Sequence, residues 1–402
     1  MDILYVSVLR SQKRFAELLR DQAVKPPQQI QKFHGLLARG LSTFVRELTA
    51  LSVIPNPAGR RGFPRPSAES EDGISFRYLS LKMVPILSHL ITFSWSFVSC
   101  LRWSLVRRRH PRFLICDALD LSISVGALLA AKLTGTRAIT IVTDIPDYMY
   151  SPADRARWSF HHVILRIYVT LSTYFMGRYD GYILLTEAMN DLVNPKGRPH
   201  LIMEGIVDPG MGEVPNTLAG KYSEQVVIYA GALYARYGVT TLLEAFLRVP
   251  HPNARLWLYG SGELEAVIQD YADRDPRIEY WGVRPNAEVV AAEVRASLLV
   301  NPRPAEEAFT KYSFPSKNME YMASGTPVLT APLPGMPKEY LEHVYTFPDA
   351  SAEALSASLT DLLGRPREEL HLMGLHAKTF VLTRKTSVIQ GGRVHAFFQG
   401  LA

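Results

Sequence analysis

The sequence contains little cysteine: only Cys100 and Cys116 occur among 402 residues, and neither lies in a metal-ligand or redox spacing. Small secreted domains depend on several cysteines, so this scarcity excludes a disulfide framework and favours a reducing compartment. Residues 1–8 lack a basic region and a cleavage site, and they have the apolar character of a strand. We therefore predict a cytoplasmic chain without a signal peptide, in which both cysteines belong to the core.

A strong excess of charge of one sign is also absent. The chain has 44 Lys and Arg against 38 Asp and Glu, which gives a formal net charge of +6. This modest excess favours anionic partners such as phosphates, nucleic acid or acidic lipid. No recognised nucleic-acid-binding module or base-stacking pattern accompanies it, so we expect no nucleic acid partner and keep a basic nucleic-acid-binding protein as an alternative of another class.

The length of the chain predicts two domains, because a single core seldom grows beyond about 250 to 300 residues. With 47% hydrophobic and 20% charged residues, the chain can bury both cores. Glycine and proline concentrate between residues 205 and 223, which we predict to be a linker. The predicted domains are an N-terminal domain over 1–204, a C-terminal domain over 224–380, and a C-terminal helix over 381–402 that could pack back on the first.

Short β-rich runs alternate with helix-length segments in both halves, and this alternation predicts parallel sheets covered by helices on both faces. We predict strands at 3–8, 113–116, 138–142, 181–185, 200–203, 226–230, 254–259, 277–281, 297–300 and 327–330. We predict helices in the second half at 239–248, 263–273, 286–293 and 316–324, and a mobile loop at 56–70. Ligands bind at the carboxyl ends of parallel strands, so functional residues are expected in the loops after strands.

The densest signal is a polar loop that follows a predicted buried strand and enters a helix near Ser316. A helix N-terminus attracts anions, because free amides and the helix dipole both point at the ligand. Lys317 in the first turn is unfavourable on dipole grounds unless an anion is bound there. Glu320 lies one turn later, where its carboxylate could accept hydrogen bonds from a ribose diol. The alternative is an ordinary surface pair of Lys317 and Glu320 on one helix.

Other motifs occur in order around this helix. They are Tyr229 to Gly238, Tyr259 to Glu263, Trp281 with Gly282, and Phe314 to Gly325. Together they resemble glycosyltransferase family 4, a group of retaining enzymes. The resemblance implies the glycosyltransferase B fold, an α/β architecture with two Rossmann-like domains facing across a cleft.

The resemblance assigns donor-binding roles by position. Glu320 matches the glutamate that holds the ribose, and Ser316 with Lys317 matches the helix start that contacts phosphate. The remaining matches are Gly231 after the first strand of the second half, Gly260 and Gly262 as the second nucleotide loop, and Val283 and Arg284 beside the base. A simple tight turn is the alternative role for Gly231.

The sequence departs from the family pattern at its charged residues. Tyr312 stands eight residues before Glu320, where the family carries a second glutamate; Glu307 is the candidate for that sugar contact, with Glu306 as its rival. The usual basic pair after Gly231 is missing, so Arg236 or Arg303 is expected to supply charge to the phosphates, with a solvated arginine as the alternative for each.

The N-terminal half departs from the family as well. Asp144 follows a predicted strand where the family often reads His-Asp, and Thr143 replaces the histidine. We name Asp144 as a candidate catalytic residue in the N-terminal domain, which the resemblance implies holds the acceptor. The alternative is a capping or turn aspartate, which is common after strands.

The resemblance implies a retaining, metal-independent transfer of a hexose-type sugar from a nucleotide-diphosphate donor to a glycan or lipid-linked acceptor, without a cofactor. Lys317, Arg236 and the helix amides would stabilise the departing diphosphate. Exopolysaccharide or other cell-envelope glycan assembly is the expected setting. A sugar-nucleotide epimerase shares the same architecture and is the main alternative.

Residues 83–101 carry no formally charged side chain, and an arginine-rich stretch follows them. The length permits a transmembrane helix, but Pro85, His89 and four serines favour a helix inside the N-terminal domain. An apolar, Trp-bearing helix beside basic residues is typical of interfacial binding, so we expect a peripheral position on an anionic membrane surface. A core helix with a solvated arginine cluster is the alternative.

Overall fold

The computed structural model describes residues 1–20, 28–55, 65–81, 86–148 and 160–402. The chain divides into two compact units. The first unit comprises Met1–Ile206 together with Ser387–Ala402, and the second unit comprises Val207–Thr386.

The described part of the first unit contains an eight-stranded sheet in the order β3-β4-β2-β1-β5-β6-β7-β8. Its strands are β1 (Asp2–Val6), β2 (Glu47–Pro55), β3 (Arg65–Glu71), β4 (Ile74–Leu81), β5 (Arg112–Asp117), β6 (Arg137–Val142), β7 (Gly181–Leu184) and β8 (His200–Ile202). Neighbouring strands are parallel, except that β3 and β4 form an antiparallel pair. The central strands β1 and β5 are almost wholly buried and apolar, as expected of a sheet with helices on both faces.

The helices that connect these strands are α1 (Gln12–Arg20), α2 (Gln28–Ser42), α3 (Leu87–Val106), α4 (Leu121–Thr134), α5 (Phe160–Met176) and α6 (Glu187–Val193). Helices α3, α4 and α5 each lead from one strand to another further along the sheet in the same direction. Because such crossovers are right-handed, these three helices lie on the same face of the sheet. The α2 connection runs in the opposite direction and covers the other face.

The described part of the second unit contains a six-stranded parallel sheet in the order β11-β10-β9-β12-β13-β14. Its strands are β9 (Gln225–Ala230), β10 (Ala254–Tyr259), β11 (Ile278–Gly282), β12 (Leu298–Asn301), β13 (Val328–Thr330) and β14 (Tyr345–Thr346). Its helices are α7 (Val239–Leu247), α8 (Glu265–Arg274), α9 (Asn286–Arg295), α10 (Ser316–Ser324), α11 (Ala352–Gly364) and α12 (Arg367–Arg384). Strand order reverses between β9 and β12, and such a switch point opens a crevice at the carboxyl ends of the strands.

The final helix, α13 (Ser387–Leu401), belongs to the first unit and packs on α2. The two helices approach closely through glycines: a Cβ on Gly391 would lie 2.4 Å from the carbonyl carbon of Gly40. Phe398 is fully buried and stacks on Phe113 of β5 at 4.8 Å between ring centroids. The last helix therefore completes the core of the first unit.

Two features differ from the sequence expectations. Residues 65–70, predicted to be part of a mobile loop, lie in β3, while 56–64 of that prediction fall outside the described residues. From Val207 onward, the residues predicted to be a linker belong to the second unit. There, the Asn216 amide nitrogen donates to the carbonyl oxygen of Ser324 at 2.9 Å and to the hydroxyl of Thr326 at 3.1 Å.

Candidate active site in the second unit

Helix α10 begins beside the switch point of the second sheet. Pro315 precedes its first residue with an extended backbone (φ −74°, ψ 94°) and provides no side-chain cap, and Ser316 at the first position is exposed. Gly325 ends the helix in the left-handed conformation, with φ 79°. The uncapped amides of the first turn are the kind of donors that bind anions.

Lys317 reaches from this first turn to the end of β9. Its Nζ donates to the hydroxyl of Tyr229 at 2.9 Å and lies 4.2 Å from the centroid of that ring. A Cβ on Gly231 would lie 1.6 Å from Nζ, so only glycine leaves room for the ammonium in this position. The fold thus brings a lysine, a tyrosine and a glycine together at the end of β9.

The hydroxyl of Tyr229 has a defined hydrogen-bond direction. It donates its single proton to the carbonyl oxygen of Ala232 at 2.8 Å and therefore accepts from Lys317. On the other side of the loop, the backbone amide of Ala230 donates to the hydroxyl of Tyr321, one turn after Lys317, at 2.8 Å. Two tyrosines consequently join the end of β9 to helix α10.

The environment of Lys317 disfavours its charge. Burial is the largest cause that lowers the pKa of Lys317, to about 7, and the charge of Arg303 acts in the same direction. The carboxylates of Glu320 and Glu293 oppose this change. A bound anion would restore the charged form, because an opposite charge at short range raises the pKa of an ammonium.

Two arginines share one aromatic ring near this lysine. The guanidinium carbon of Arg303 lies 4.7 Å from the ring centroid of Tyr237 and 5.3 Å from that of Phe309. Arg236 is exposed, lies 5.1 Å from the Tyr237 centroid and donates to its hydroxyl at 3.3 Å. The structure therefore brings both arginine candidates to the same tyrosine, and the charge of Arg303 contributes to the lowered pKa of Lys317.

The glycine loops after β9 and β10 pack directly on each other. Gly260 has φ 125°, and a Cβ there would lie 1.8 Å from the carbonyl oxygen of Gly231. A Cβ on Gly262 would lie 2.4 Å from the carbonyl oxygen of Leu233. The amide of Gly260 donates to Gly282 at the end of β11 at 2.9 Å, so three consecutive strand ends form one continuous backbone surface.

The candidates beyond β11 are more open to solvent. Val283 is 72% exposed, and Arg284 is exposed. The Nε of Arg284 donates to the carbonyl oxygen of Trp281 at 3.0 Å, and the Trp281 ring stacks on Tyr259 at 5.9 Å. These residues form the outer edge of the strand-end surface.

The acidic candidates differ in position. Glu320 is partly buried on α10, close enough to Lys317 for its charge to act on the lysine pKa. Glu306 and Glu307 are exposed in the loop before α10, and the backbone carbonyl of Glu307 accepts from the Thr310 hydroxyl at 2.7 Å. Asp144 is exposed in the first unit, in the loop after β6.

The described ranges of the chain contain no group of three or more His, Cys, Asp and Glu side chains arranged to hold a metal ion. An Asp-x-Asp pair does occur at Asp273 and Asp275, at the end of α8. Asp275 forms an ion pair with Arg277 at 2.7 Å, which explains the local role of this carboxylate.

Sequence reasoning did not single out Tyr229, Tyr321 or the buried Glu293 as site residues. Tyr321 follows Lys317 by four positions, and this spacing places both on one face of a helix. That spacing was a signal for Tyr321. The contact of Tyr229 with Lys317 joins residues 88 positions apart and has no local signal in the sequence.

Comparisons with known proteins give a family match for the region that carries this site. Residues 224–365, which carry the cluster around Lys317, match the family model described as glycosyl transferases group 1. No curated protein matches the chain. The match covers part of the chain and supports a glycosyltransferase.

Solved structures resemble the chain over its whole length. Sucrose-phosphate synthase from Thermosynechococcus elongatus is 14% identical with a TM-score of 0.66, covering 100% of this chain and 98% of that one. The Anabaena protein HepE in complex with UDP-glucose is 13% identical with a TM-score of 0.62, and the lipopolysaccharide outer core galactosyltransferase WaaB is 12% identical with a TM-score of 0.62. Both matches cover 100% of each chain.

The chain has the glycosyltransferase B fold.

The predicted fold, with two Rossmann-like domains built on parallel sheets, is therefore confirmed. The neighbours are too distant in sequence to carry more than the fold.

Proposed function

We propose that this protein is a retaining glycosyltransferase that moves a hexose-type sugar from a nucleotide-diphosphate donor to a glycan or lipid-linked acceptor without a metal ion or cofactor. UDP-glucose is the first donor to test, because the structural neighbour HepE was solved with UDP-glucose. The observation that carries the proposal is the position of Lys317. Its ammonium lies against Gly231, at the N-terminus of α10, with Arg303 close by.

The donor would lie across the strand-end surface of the second unit. Its diphosphate would contact Lys317, Ser316 and the first-turn amides of α10, while the backbone at Gly260 and Gly262 permits close approach of the ligand. Glu320 would accept hydrogen bonds from the ribose hydroxyls. Val283 and Arg284 would lie beside the base.

The charges of the site suit the departure of a nucleotide diphosphate. Cleavage of the bond between the anomeric carbon and the phosphate oxygen transfers an electron pair to the diphosphate, and fixed cations stabilise this developing charge. Lys317 and Arg303 are held by aromatic partners, and Arg236 is close to Arg303 through Tyr237. These fixed charges support the proposal of a metal-independent reaction.

Retention of configuration requires the acceptor oxygen to attack the face from which the diphosphate departs. In the proposed reaction a new bond forms between the anomeric carbon and the acceptor oxygen, and the acceptor proton passes to an oxygen of the leaving phosphate. Glu307, with Glu306 as the alternative, would contact the donor sugar. Asp144 of the first unit is the proposed acceptor-side carboxylate.

We place the protein in the cytoplasm, peripheral to the inner face of the cell membrane, in exopolysaccharide or cell-envelope glycan assembly. A lipid-linked acceptor would be presented at such a surface. A soluble glycan acceptor would not require it, so acceptor class and membrane association are tested separately.

Glu320 provides the decisive test of the donor site. Loss of two charge-assisted hydrogen bonds in Glu320→Ala should weaken donor binding by about 10² to 10⁴-fold. Calorimetric titration with UDP and UDP-glucose measures this change, and Glu288→Ala, an exposed glutamate on α9, is the matched control. Wild-type donor affinity in Glu320→Ala would contradict the proposed site.

Product analysis then separates transfer from other reactions of the same donor. A sugar-nucleotide epimerase would release a changed sugar without any acceptor. Release of UDP that depends on acceptor, with a product of unchanged anomeric configuration by NMR, is the expected result. An inverted product would exclude retention while leaving the donor site intact.

A further inference from the structure

Helix α3 buries small residues and exposes large apolar ones, which is the reverse of the pattern expected of a helix on a protein surface in water. Its buried residues are mostly small, at intervals of four along the helix: Ser88, Thr92, Ser96, Cys100 and Ser104. Its exposed residues include large apolar side chains: Leu87, Leu90, Val98, Leu105 and Val106. Leu90 is 59% and Val98 is 60% exposed. A surface helix normally buries its large apolar stripe and exposes polar residues.

Close packing on α4 explains the small residues. The Ser96 hydroxyl donates to the carbonyl oxygen of Ile123 at 2.6 Å, and a Cβ on Gly126 would lie 2.6 Å from the carbonyl oxygen of Phe93. Two helix backbones can approach so closely only through small side chains. This packing does not account for the large apolar residues on the opposite side, which remain exposed among the described residues.

The neighbouring helices extend the exposed apolar surface. Helix α4 contacts both α3 and α5, and all three lie on the same face of the sheet. Helix α4 exposes Leu129 and Leu133, and α5 exposes Val163, Ile164, Ile167, Leu171 and Tyr174. At 3.6 residues per turn, the five exposed residues of α5 lie within about 100° of one another around the helix. We call the exposed side of α3, α4 and α5 the apolar helix face.

The acidic and basic side chains carried by the three helices themselves are of one sign. Helices α3, α4 and α5 contain no aspartate or glutamate. Exposed basic residues occur within and just after them: Arg102, Arg108, Arg109, Lys132, Arg166 and Arg178. Lys132 is paired with Asp180 at 2.5 Å, which leaves the arginines as the main source of positive charge.

We propose that the apolar helix face binds the surface of an anionic lipid bilayer. Its apolar side chains would enter the interface between headgroups and acyl chains, and the arginines would pair with lipid phosphates. No helix in the described part of the chain is long and apolar enough to span a bilayer. Binding therefore takes the interfacial form, with α3, α4 and α5 lying in the plane of the membrane. The presentation of a lipid-linked acceptor at this surface depends on the proposed function, whereas the proposed contact with the membrane does not.

Charge complementarity favours a bilayer over a second copy of this chain. A symmetric dimer through this face would bring two sets of arginines together, because both partners present the same surface. Like charges at close range oppose such an association, whereas anionic lipid headgroups neutralise them. The apolar side chains would suit either a bilayer or a second copy, so it is the positive charge of the arginines that favours the bilayer.

Co-sedimentation of the full chain with vesicles tests this proposal. Binding is expected with phosphatidylcholine vesicles that contain phosphatidylglycerol, and weak binding is expected with phosphatidylcholine alone. The double variant Leu90→Ser, Val98→Ser should weaken partition by about tenfold or more, since two apolar side chains no longer enter the interface. Arg108→Gln with Arg109→Gln should weaken it by about 30-fold, at about a factor of five per charge.

Matched controls exclude a general effect of the substitutions. Leu372→Ser replaces a comparably exposed leucine on α12, and Arg274→Gln replaces an exposed arginine on α8; both should bind vesicles like the wild type. Circular dichroism and thermal unfolding check that each variant folds. UDP titration of the same variants separates the two proposals, because loss of vesicle binding with normal UDP affinity concerns the membrane face alone.

Three outcomes would overturn the membrane proposal. These are equal binding to neutral and anionic vesicles, no binding even at low salt, and unchanged partition in the Leu90→Ser, Val98→Ser variant. A dimer seen by light scattering that this variant dissociates, without vesicle binding in the wild type, would assign the face to a second copy instead. Vesicle binding by a wild type that fails to bind any nucleotide would support the membrane face and count against the proposed function.

Discussion

At the scale of single residues, the site depends on a lysine whose charge is disfavoured until a ligand arrives. Burial and Arg303 lower the pKa of Lys317 to about 7, while Tyr229 fixes the position of its nitrogen. Perturbed pKa values of this kind cluster at functional sites. The free protein therefore holds a mixture of ammonium and amine near neutral pH.

The state of Lys317 predicts a pH-dependent affinity for the nucleotide. A diphosphate binds the ammonium form, so binding above pH 7 requires proton uptake and weakens as the pH rises. We expect the Kd of UDP to increase by up to about tenfold per pH unit from about pH 7 toward the higher pKa of the complex. Calorimetry in buffers of different ionisation enthalpy measures both the affinity and the proton uptake.

Two variants test the assignment of this titration to Lys317. Lys317→Met should bind UDP weakly and without pH dependence over the same range. Lys338→Met removes an exposed lysine elsewhere in the second unit and should keep the wild-type profile. A wild-type Kd that is flat from about pH 6.5 to about 9 would show that Lys317 is not the titrating group.

The sequence indicates some residue contacts and not others. The motif around Lys317 and the glycine after β9 predict that both lie at strand ends, and the structure brings them within van der Waals contact. The stacking of Arg303 on Tyr237 joins residues from two loops that follow different strands. Such a contact depends on the order of the strands in the sheet. The sequence therefore indicated both Arg236 and Arg303 as candidates for the phosphate contact and did not distinguish them.

At the scale of elements, helix α10 is held at both ends by residues distant in sequence. Tyr229 and Ala230 contact its first turns, and Asn216 contacts its last turn through Ser324 and Thr326. The segment predicted to be a linker thus supplies the residue that stabilises the C-terminal end of the helix. Glycine and proline composition indicated an irregular backbone there but carried no information on this contact.

Removal of the Asn216 side chain should destabilise this end of α10. Asn216→Ala loses two hydrogen bonds, so the free energy of unfolding should fall by about 1 to 3 kcal/mol. Urea unfolding measures the change. Asn253→Ala, which loses one exposed hydrogen bond of 3.3 Å, should change the free energy much less. Equal effects of the two substitutions would contradict the role given to Asn216.

The first sheet shows where periodicity fails to predict strands. Strand β3 carries the sequence Arg65 to Glu71, whose serine, proline and charged residues are typical of a loop. It is an edge strand that pairs only with β4, and an edge position tolerates Pro66 and polar side chains. Its neighbour β4 was also not predicted. Buried central strands such as β1 and β5 were predicted because their apolar runs leave little choice.

At the scale of the whole molecule, the chain returns to its first unit after completing the second. Helix α13 packs on α2 through Gly40 and Gly391, and Phe398 fills the core beside Phe113. The two-domain expectation followed from length alone. The assignment of residues 387–402 to the first unit follows from glycine-mediated packing, which is a property of two helices far apart in sequence.

Two glycines on α13 should respond oppositely to alanine. Gly391→Ala places a Cβ 2.4 Å from the Gly40 backbone and should lower the free energy of unfolding of the first unit by about 1 to 3 kcal/mol. Gly400→Ala has nothing within 4 Å of the new Cβ and should be neutral or stabilise the helix by up to about 1 kcal/mol. Thermal and urea unfolding of both variants measure these changes. Destabilisation by Gly400→Ala alone would refute the packing argument.

The path of the chain also sets an order of events during synthesis. The ribosome translates β1 to β8 before the second unit, whereas Phe398, whose ring is buried in the core of the first unit, is translated only after it. The whole second unit, Val207–Thr386, is translated before Phe398 and can fold as a unit while translation continues. The first unit therefore cannot complete its hydrophobic core until α13 has been translated. During that interval its incomplete core is the part of the chain most accessible to chaperones and proteases.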